Sequence, residues 1–237
     1  MEDELSDQSV TQSTTQTTIP VVTKGSLQTF SLDDLAVFTR EGEFNPKDSP
    51  DFRTFYVGRD DVGGILRHLL SRVSVSFKLS MFGFADETLA NMIVGLIQDQ
   101  HVFAQISLDK TQAGGVGERK ILDSMPDAIR SSFAIGTSST GQILHTKGAV
   151  LDGIVAFEGS TNWSASGEGV GIGLHGENNA TGYKAQSNTL VVYVNQAEIN
   201  KFSTRLDEEH LSILQRQAVM RATPGTAKVP ISVHEGE

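Results

Sequence analysis

The sequence contains no cysteine, and only one of its 237 residues is tryptophan. Disulfide bonds and metal centres held by thiolates are therefore excluded. No apolar run is long enough to span a membrane, and the first residues, beginning Met1-Glu2-Asp3, have neither the basic region nor the apolar core of a secretory signal. These absences predict a cytoplasmic protein without a transmembrane segment.

Basic residues are also scarce, since 19 Lys and Arg stand against 29 Asp and Glu, for a net charge of −10. Residues 1–60 hold 11 of the acidic and 5 of the basic side chains, so much of the acidity lies near the N-terminus. The length suffices for one substantial core. We predict a polar, partly disordered tail or linker over 1–50, one folded domain over 51–216 and a C-terminal tail over 217–237. Apolar residues that could anchor the N-terminal segment to the domain are Phe30, Leu32, Leu35 and Phe38.

Apolar periodicity becomes regular from residue 62 onward. It predicts three long helices, over 62–73, 86–100 and 196–216, and three buried strands, over 75–82, 102–108 and 186–194. Helices that alternate with strands favour a parallel or mixed sheet covered by helices. The predicted fold class is therefore α/β, a mixed β-sheet flanked by helices on both faces, in a single domain.

The most informative stretch runs from residue 145 to residue 162. One residue separates His145 from Lys147, Asp152 follows after four more, and a Gly-Ser-Thr-Asn sequence containing Ser160 and Asn162 follows after a further six. An imidazole can attack phosphorus near neutral pH, because its ordinary pKa is about 6.5. A neighbouring ammonium, hydroxyl and amide can hold the non-bridging oxygens of a phosphodiester. This inventory predicts phosphate-transfer chemistry without a metal ion or other cofactor; the alternative is a chance hairpin with a surface His and Lys.

A hairpin explains how these groups come together. Asp152-Gly153 lies between two β-branched apolar runs, and such a pair favours a type I′ turn with positive φ at both positions. We predict antiparallel strands over 143–151 and 154–160, in a register that places His145 opposite Ser160. Alternation along the strands then puts four side chains on one face: His145, Lys147, Ser160 and Asn162.

The spacing of these residues resembles the signature of the phospholipase D superfamily, and the single copy resembles its short Nuc-type endonucleases. The order of helices and strands over about residues 60–215 agrees with that family. The resemblance implies a phospholipase D-like catalytic domain and a phosphohistidine formed at His145. It also implies a supporting role for Asp152. A second imidazole is needed as general acid, and no other histidine is followed two positions later by lysine. We therefore predict a homodimer with one shared active site.

One position departs from the family pattern. Nuc-type chains have a glutamate before the asparagine of the returning strand, and it orients the histidine. Here Ser187 precedes Asn188. The substitute could be Gln186, Ser187, Glu168 or Glu177, or there could be none. His175, among the glycines of 164–184, is interpreted as a loop residue rather than a ligand.

A glycine-bearing loop follows the predicted strand 102–108. It matches neither a Walker motif nor a dinucleotide fingerprint. Its position after a strand predicts either a plain surface loop or a substrate rim at the carboxyl edge of the sheet, in which Lys110, Arg119 and Lys120 contact phosphates. Trp163 is expected to pack beneath the site rather than to stack on a base.

Three functions are compatible with these features. The first is a metal-independent endonuclease acting on DNA or RNA, and the second is a phospholipase or phosphatidyltransferase. The third is a non-catalytic phospholipase D-like binding or scaffold protein, which the missing glutamate and the acidic balance favour. The intact His145, Lys147, Ser160 and Asn162 favour an enzyme.

Overall fold

The computed structural model describes residues 22–130, 133–172 and 184–222. Its strands are β1 (Phe52–Tyr56), β2 (Ser76–Met81), β3 (Phe103–Asp109), β4 (Phe133–Gly136), β5 (Lys147–Leu151), β6 (Val155–Gly159) and β7 (Thr189–Tyr193). Its α-helices are α1 (Val62–Arg72), α2 (Glu87–Gln98), α3 (Val116–Ser124), α4 (Asp127–Arg130), α5 (Ala165–Glu168) and α6 (Gln196–Ala222), preceded by a 3-10 helix at Leu32–Phe38.

Within the described ranges all the strands form one sheet, in the order β1-β7-β6-β5-β2-β3-β4. Strand β3 runs parallel to β2 and β4, whereas the other neighbouring pairs are antiparallel. The carboxyl ends of β2, β3, β4 and β6 therefore meet the beginnings of β5 and β7 at one edge. This edge is called the motif edge below, because the residues flanking β5 and β6 there carry the sequence motif.

Helices cover both faces of the sheet, which confirms the predicted fold class. Alternate residues such as Leu79, Ala149 and Phe157 point into the main core beneath α1 and α2. The intervening residues Val150 and Ala156 pack against α6. The strands alternate between two buried faces because each face has its own apolar cover. The predicted helices and strands are confirmed in type and order, with ends that differ by a few residues; α6 extends to Ala222.

The described part of the chain before β1, from residue 22 onward, packs against the domain. Leu32 and Leu35 are buried in the main core, and Phe30 and Phe38 are partly buried against it. All four predicted anchors thus contact the core. The 3-10 helix that contains Leu32, Leu35 and Phe38 begins at a Ser31 cap, whose side chain accepts a hydrogen bond from the backbone N–H of Asp33.

The β5–β6 hairpin confirms the turn but corrects the register. Asp152 and Gly153 have φ of 53° and 68°, and the N–H of Ile154 donates to the carbonyl of Leu151, as in a type I′ turn. Leu151 nevertheless pairs with Val155, one residue further than predicted. Because side chains alternate along a strand, a shift of one residue removes Ser160 from the position opposite His145.

Candidate functional site

The motif edge brings together the two ends of the sequence motif. His145 lies two residues before Lys147, which begins β5, while Ser160 directly follows the end of β6 and Asn162 lies two residues further on. β5 and β6 are antiparallel neighbours. The hairpin therefore places both halves of the motif at this edge, as the sequence predicted, although the side chains are distributed differently.

Lys147 and His145 share an aromatic neighbour, Phe82. The Lys147 ammonium donates to the carbonyl of His145 at 2.9 Å and lies 4.9 Å from the centre of the Phe82 ring. The His145 ring meets the same phenyl ring edge to face at 4.5 Å. Lys147 is only 6% exposed, whereas His145 is exposed. Burial lowers the pKa of Lys147 from its ordinary value.

No described carboxylate hydrogen-bonds to either of these groups. Lys147 is absent from the ion pairs of the described residues, and neither imidazole nitrogen of His145 has a hydrogen-bond partner among them. An ammonium without a counter-ion in a poorly solvated place attracts an anion strongly. The pair is therefore suited to binding one phosphate beside a nucleophile that solvent can reach.

A cavity of about 630 Å³ adjoins both side chains. Its wall includes hydroxyl and amide groups of the segment 138–142 and charged side chains of β6 and α6. The charged groups beside His145 and Lys147 are Glu158, Arg205, Glu208 and Glu209. The cavity is therefore mixed in charge, since both the Lys147 ammonium and carboxylates line it.

Glu209 of α6 secures the segment that carries the motif. It is 5% exposed, and its Oε2 lies 3.4 Å from the hydroxyls of Ser80 and Thr146. Thr146 is the residue between His145 and Lys147, and all three line the same cavity as Glu209. This buried carboxylate, which sequence reasoning missed, thus links α6 to the middle of the motif.

Asn162 is held close to the backbone of Gly83. A β-carbon built on Gly83 would lie 2.9 Å from Asn162 Cγ, closer than real contacts allow. The backbone N–H of Trp163 donates to the carbonyl of Gly83 at 2.9 Å, which fixes the two segments together. The side-chain oxygen of Asn162 is buried and has no hydrogen-bond partner among the described residues. A buried amide oxygen of this kind is available to a ligand or a water molecule.

Trp163 packs beneath the site, as predicted. It is 1% exposed and lies between the rings of Phe84 and Phe157. Its carbonyl accepts the backbone N–H groups of Ala85 and Asp86, so the residue also ties the chain after β6 to the segment entering α2.

Ser160 is engaged in the sheet. Its hydroxyl donates to Asn188 Oδ1 at 3.0 Å and accepts from the backbone N–H of Thr189 at 2.9 Å. Asn188, another residue that the sequence analysis did not assign to the site, also donates to the carbonyl of Gly167 and to the Gln186 side chain. The predicted single face of four side chains is therefore wrong for Ser160, whose contacts lie towards β7. The motif glycine before it is required by packing, because a β-carbon at Gly159 would lie 2.0 Å from the carbonyl oxygen of Thr189.

Asp152 lies at the opposite edge of the sheet. The length of β5 separates it from the motif edge. This length is about 17 Å, because a strand rises by about 3.4 Å for each residue. Its carboxylate accepts the backbone N–H groups of Ser74, Val75 and Ser76 and the hydroxyl of Ser74. The supporting role implied for Asp152 in the catalytic hydrogen-bond network is therefore corrected: this carboxylate organises the entry into β2.

We expect Asp152→Asn to destabilise the fold without changing the site. The amide tolerates positive φ, but its NH₂ group would face N–H donors, so we expect the free energy of unfolding to fall by about 1–3 kcal/mol. Urea unfolding measures this loss. Activity per folded molecule should stay at the wild-type level, and a specific loss of turnover would restore Asp152 to the catalytic network.

The predicted basic rim does not reach the cavity. Lys110, Arg119 and Lys120 are exposed, and none of them lines the cavity beside His145. Lys120 pairs with Glu87, and Arg119 donates to the carbonyl of Gly114. Lys110 directly follows β3 at the motif edge, so the predicted position after a strand is correct.

Of the proposed substitutes for the missing glutamate, none contacts His145 in the described part of the chain. Gln186 accepts from Asn188, and Glu168 is buried beside the beginning of α1, near Gly63 and Arg67. Glu177 and His175 lie outside the described residues. The imidazole is therefore positioned by something other than Gln186, Ser187 or Glu168.

Gly83→Ala should impair the site with little effect on the fold. The added methyl group would displace Asn162, which lies at the motif edge next to the segment that contacts His145 and Lys147. We expect kcat/KM to fall about 10- to 100-fold, because small displacements of positioning groups have effects of this size. Steady-state kinetics with a circular-dichroism melt measure both quantities. Unchanged kinetics in the folded variant would show that Asn162 does not act in turnover.

The fold and the site together define a class: an α/β protein whose mixed sheet presents a histidine, a buried lysine and an asparagine at one edge. Comparison with known structures makes the class specific. The chain is similar to Nuc from Salmonella typhimurium, a phospholipase D family member, with a TM-score of 0.51 and 15% identity, over 67% of this chain and 92% of that one. It is also similar to NucT from Helicobacter pylori, with a TM-score of 0.50 and 18% identity, over 68% and 98%. No protein-family model and no curated protein matches the sequence. The chain has the phospholipase D-like fold of Nuc.

No helix among the described residues is both long and apolar enough to cross a membrane.

Proposed function

We propose that this protein is a phosphodiesterase that works through a phosphohistidine at His145 without a metal ion, and that it acts as an endonuclease on DNA or RNA. The observation that carries the proposal is the exposed imidazole of His145 next to a buried ammonium, Lys147, that no described carboxylate neutralises. Both groups line one cavity that is large enough for a phosphodiester and its neighbouring groups.

The chemistry follows from these groups. Lys147 holds the non-bridging oxygens of the phosphate, and the side-chain NH₂ group of Asn162 donates to the same phosphate. A neutral imidazole nitrogen of His145 attacks phosphorus, and the bond from phosphorus to the leaving oxygen breaks. A general acid protonates that oxygen. Water then attacks the phosphohistidine, its proton passes to the group that acted as acid, and His145 is released.

The general acid is the His145 of a second copy. The other described histidines lie elsewhere: His68 packs against Phe38, His101 is next to Asp99, and His210 contacts Ser107. None of these three lines the cavity. A two-fold homodimer with its axis at the motif edge would bring the two His145 side chains to one phosphate. One imidazole would then be neutral and the other protonated, so the two would titrate as a pair.

The choice of nucleic acid rests on the resemblance of the single-copy motif to Nuc-type endonucleases. Lys110 and Arg119 remain our predicted contacts for flanking phosphates, while Lys120 already pairs with Glu87. Since phosphate contacts dominate non-specific binding, nuclease activity should fall steeply with salt.

A phospholipase or phosphatidyltransferase is the second candidate, and the cavity wall favours it. Glu158, Glu208 and Glu209 line the same cavity as Lys147 and Arg205, and Arg205 pairs with Glu209, so this wall suits a substrate with one neutral or cationic arm better than a long polyanion. A phospholipid headgroup has this character.

A substrate panel distinguishes these functions from a non-catalytic scaffold. Purified protein is incubated with single-stranded and double-stranded nucleic acid, with phospholipid vesicles and with bis-p-nitrophenyl phosphate, each with and without EDTA. We expect cleavage that persists in EDTA and that is lost in His145→Ala. Cleavage abolished by EDTA would contradict the metal-free mechanism, and cleavage of no substrate would favour the scaffold.

A further inference from the structure

Phe82 lies between the two principal groups of the proposed site. Its ring centre is 4.5 Å from that of His145, at an interplanar angle of 61°, and 4.9 Å from the Lys147 ammonium. The backbone N–H of Phe82 donates to the carbonyl of Thr146 at 3.0 Å, so Phe82 lies directly beside the segment that carries both side chains. It follows β2 immediately and is half-buried.

The Phe82 ring makes a favourable contact with both the Lys147 ammonium and the His145 ring. The face of an aromatic ring carries partial negative charge and attracts an ammonium within about 6 Å. The edge-to-face arrangement is the geometry that ring pairs prefer. A carboxylate could orient the same two groups, but it would also neutralise the positive charge of Lys147, which is the charge that binds the phosphate. A phenyl ring restricts both side chains and leaves that charge available.

We propose that Phe82 is the positioning residue of the site, and that it orients His145 as a glutamate does in Nuc-type chains. This inference rests on the proposed function for its catalytic consequence. Its structural content is independent: the ring of Phe82 holds His145 in place and stabilises the charged form of Lys147. The residue touches neither the phosphate nor the leaving group in this scheme, and it acts through the two side chains that do.

The charged surroundings of Lys147 support a contribution from the ring. The titratable and charged groups that line the same cavity are His145, Glu158, Arg205, Glu208 and Glu209. None of them hydrogen-bonds to the Lys147 ammonium, whose described acceptor is the carbonyl of His145. Burial lowers the pKa of Lys147, so loss of the ring should lower it further.

The test replaces Phe82 by Leu and by Tyr. Phe82→Leu removes the ring and keeps an apolar side chain, whereas Phe82→Tyr keeps the ring. Phe44→Leu is the matched control, because Phe44 is also half-buried, contacts another ring (Phe55, 6.2 Å) and has a cation over it (Arg53, 4.5 Å). Phe44 lies beside β1, three strands away from β5 in the sheet order.

Kinetics give the first readout. In Phe82→Leu we expect kcat/KM to fall about 10- to 100-fold, with the alkaline limb of its pH profile shifted to lower pH. Phe82→Tyr should stay within about threefold of wild type, and Phe44→Leu should keep the wild-type pH profile. An equal loss of activity and of melting temperature in Phe82→Leu and Phe44→Leu, with unchanged pH profiles, would mean that Phe82 only packs, and the proposal would be overturned.

A titration that needs no turnover gives the second readout. The ¹³C resonance of the Lys147 side chain, assigned with Lys147→Arg, is followed against pH in each folded variant. We expect the pKa of Lys147 to fall by up to about one unit in Phe82→Leu and to recover in Phe82→Tyr. An unchanged Lys147 titration in Phe82→Leu contradicts the proposal. If wild type cleaves no substrate, the proposed function fails, and this titration alone decides the role of the ring.

Discussion

His145→Ala is expected to abolish phosphodiester cleavage, with a loss of at least about 10³-fold in kcat, because the substitution removes both the nucleophile and, in a dimer, the general acid. The fold should not change, since the His145 side chain is exposed and hydrogen-bonds to no described residue. Cleavage is measured on the substrate found in the panel, and the melting temperature and the mass in solution are measured on the same preparation.

His101→Ala is the matched control. His101 is also an exposed histidine, but it lies between α2 and β3 at the edge of the sheet opposite the motif edge, and it contacts Asp99. Its variant should cleave at the wild-type rate. Retained turnover in His145→Ala would end the phosphohistidine proposal, whatever the control does.

Mixing wild type with His145→Ala tests whether the site is shared. If each site needs the His145 of both copies, an equal mixture of fully exchanged subunits keeps about one quarter of the wild-type activity, because only wild-type pairs are active. Independent sites would keep about one half. Activity measured against the wild-type fraction should therefore follow a square law, and a straight line would contradict the shared site even if the protein is dimeric.

The sequence predicted the layers of the fold because long apolar patterns report directly on which faces are buried. Helices α1, α2 and α6 and strands β2, β3, β5, β6 and β7 were all predicted in the right order. β1 and β4 were not. β1 lies before residue 62, where the apolar periodicity becomes regular, and β4, with only four residues, carries too few positions for alternation to be read.

The parts of the candidate site that depend on spacing along one strand could be predicted from the sequence. The parts that depend on how two strands pair could not. His145 and Lys147 share a side of the strand because they are two residues apart. The position of Ser160 depended instead on the pairing of the two strands of the hairpin. Leu151 pairs with Val155, one residue beyond the partner that the predicted register gave it. Asp152 had a correctly predicted turn conformation, but its partners, Ser74 to Ser76, are more than 70 residues away in sequence.

Residues that act through long-range contacts were missed for the same reason. Phe82, Asn188 and Glu209 reach the motif from β2, from the approach to β7 and from α6. A phenylalanine after a buried strand, or a glutamate on an amphipathic helix, has an ordinary structural interpretation in one sequence. Only the sheet order, which puts β2 beside β5, brings Phe82 to His145 and Lys147.

Glu168 presents a different kind of outlier, a carboxylate buried without a partner. It is 3% exposed, and neither oxygen has a hydrogen-bond partner among the described residues. Burial, with Asp86 and Asp61 nearby, raises its pKa to about 8, and Arg67 offsets this only in part. The group therefore folds in its protonated form near neutral pH. It belongs to α5, a few residues after Asn162, so its ionisation would disturb the segment that follows the motif.

Glu168→Gln should make the stability of the protein less dependent on pH, with an effect of about 2–5 kcal/mol between pH 4 and pH 9. The folded pKa is raised, so the unfolded chain releases its proton first, near pH 4.5, and wild type loses stability from there up to about pH 8. Glutamine cannot ionise and avoids this loss. Below pH 4.5 the Glu168 side chain is neutral, as the glutamine is. Any change that the amide itself makes to the free energy of unfolding is the same at every pH. Urea unfolding across this range gives the difference between the two curves, and Glu43→Gln, at an exposed position, should give a nearly flat difference. A flat difference for Glu168→Gln as well would mean that Glu168 is charged in the folded protein, with a counter-ion supplied from outside the contacts described.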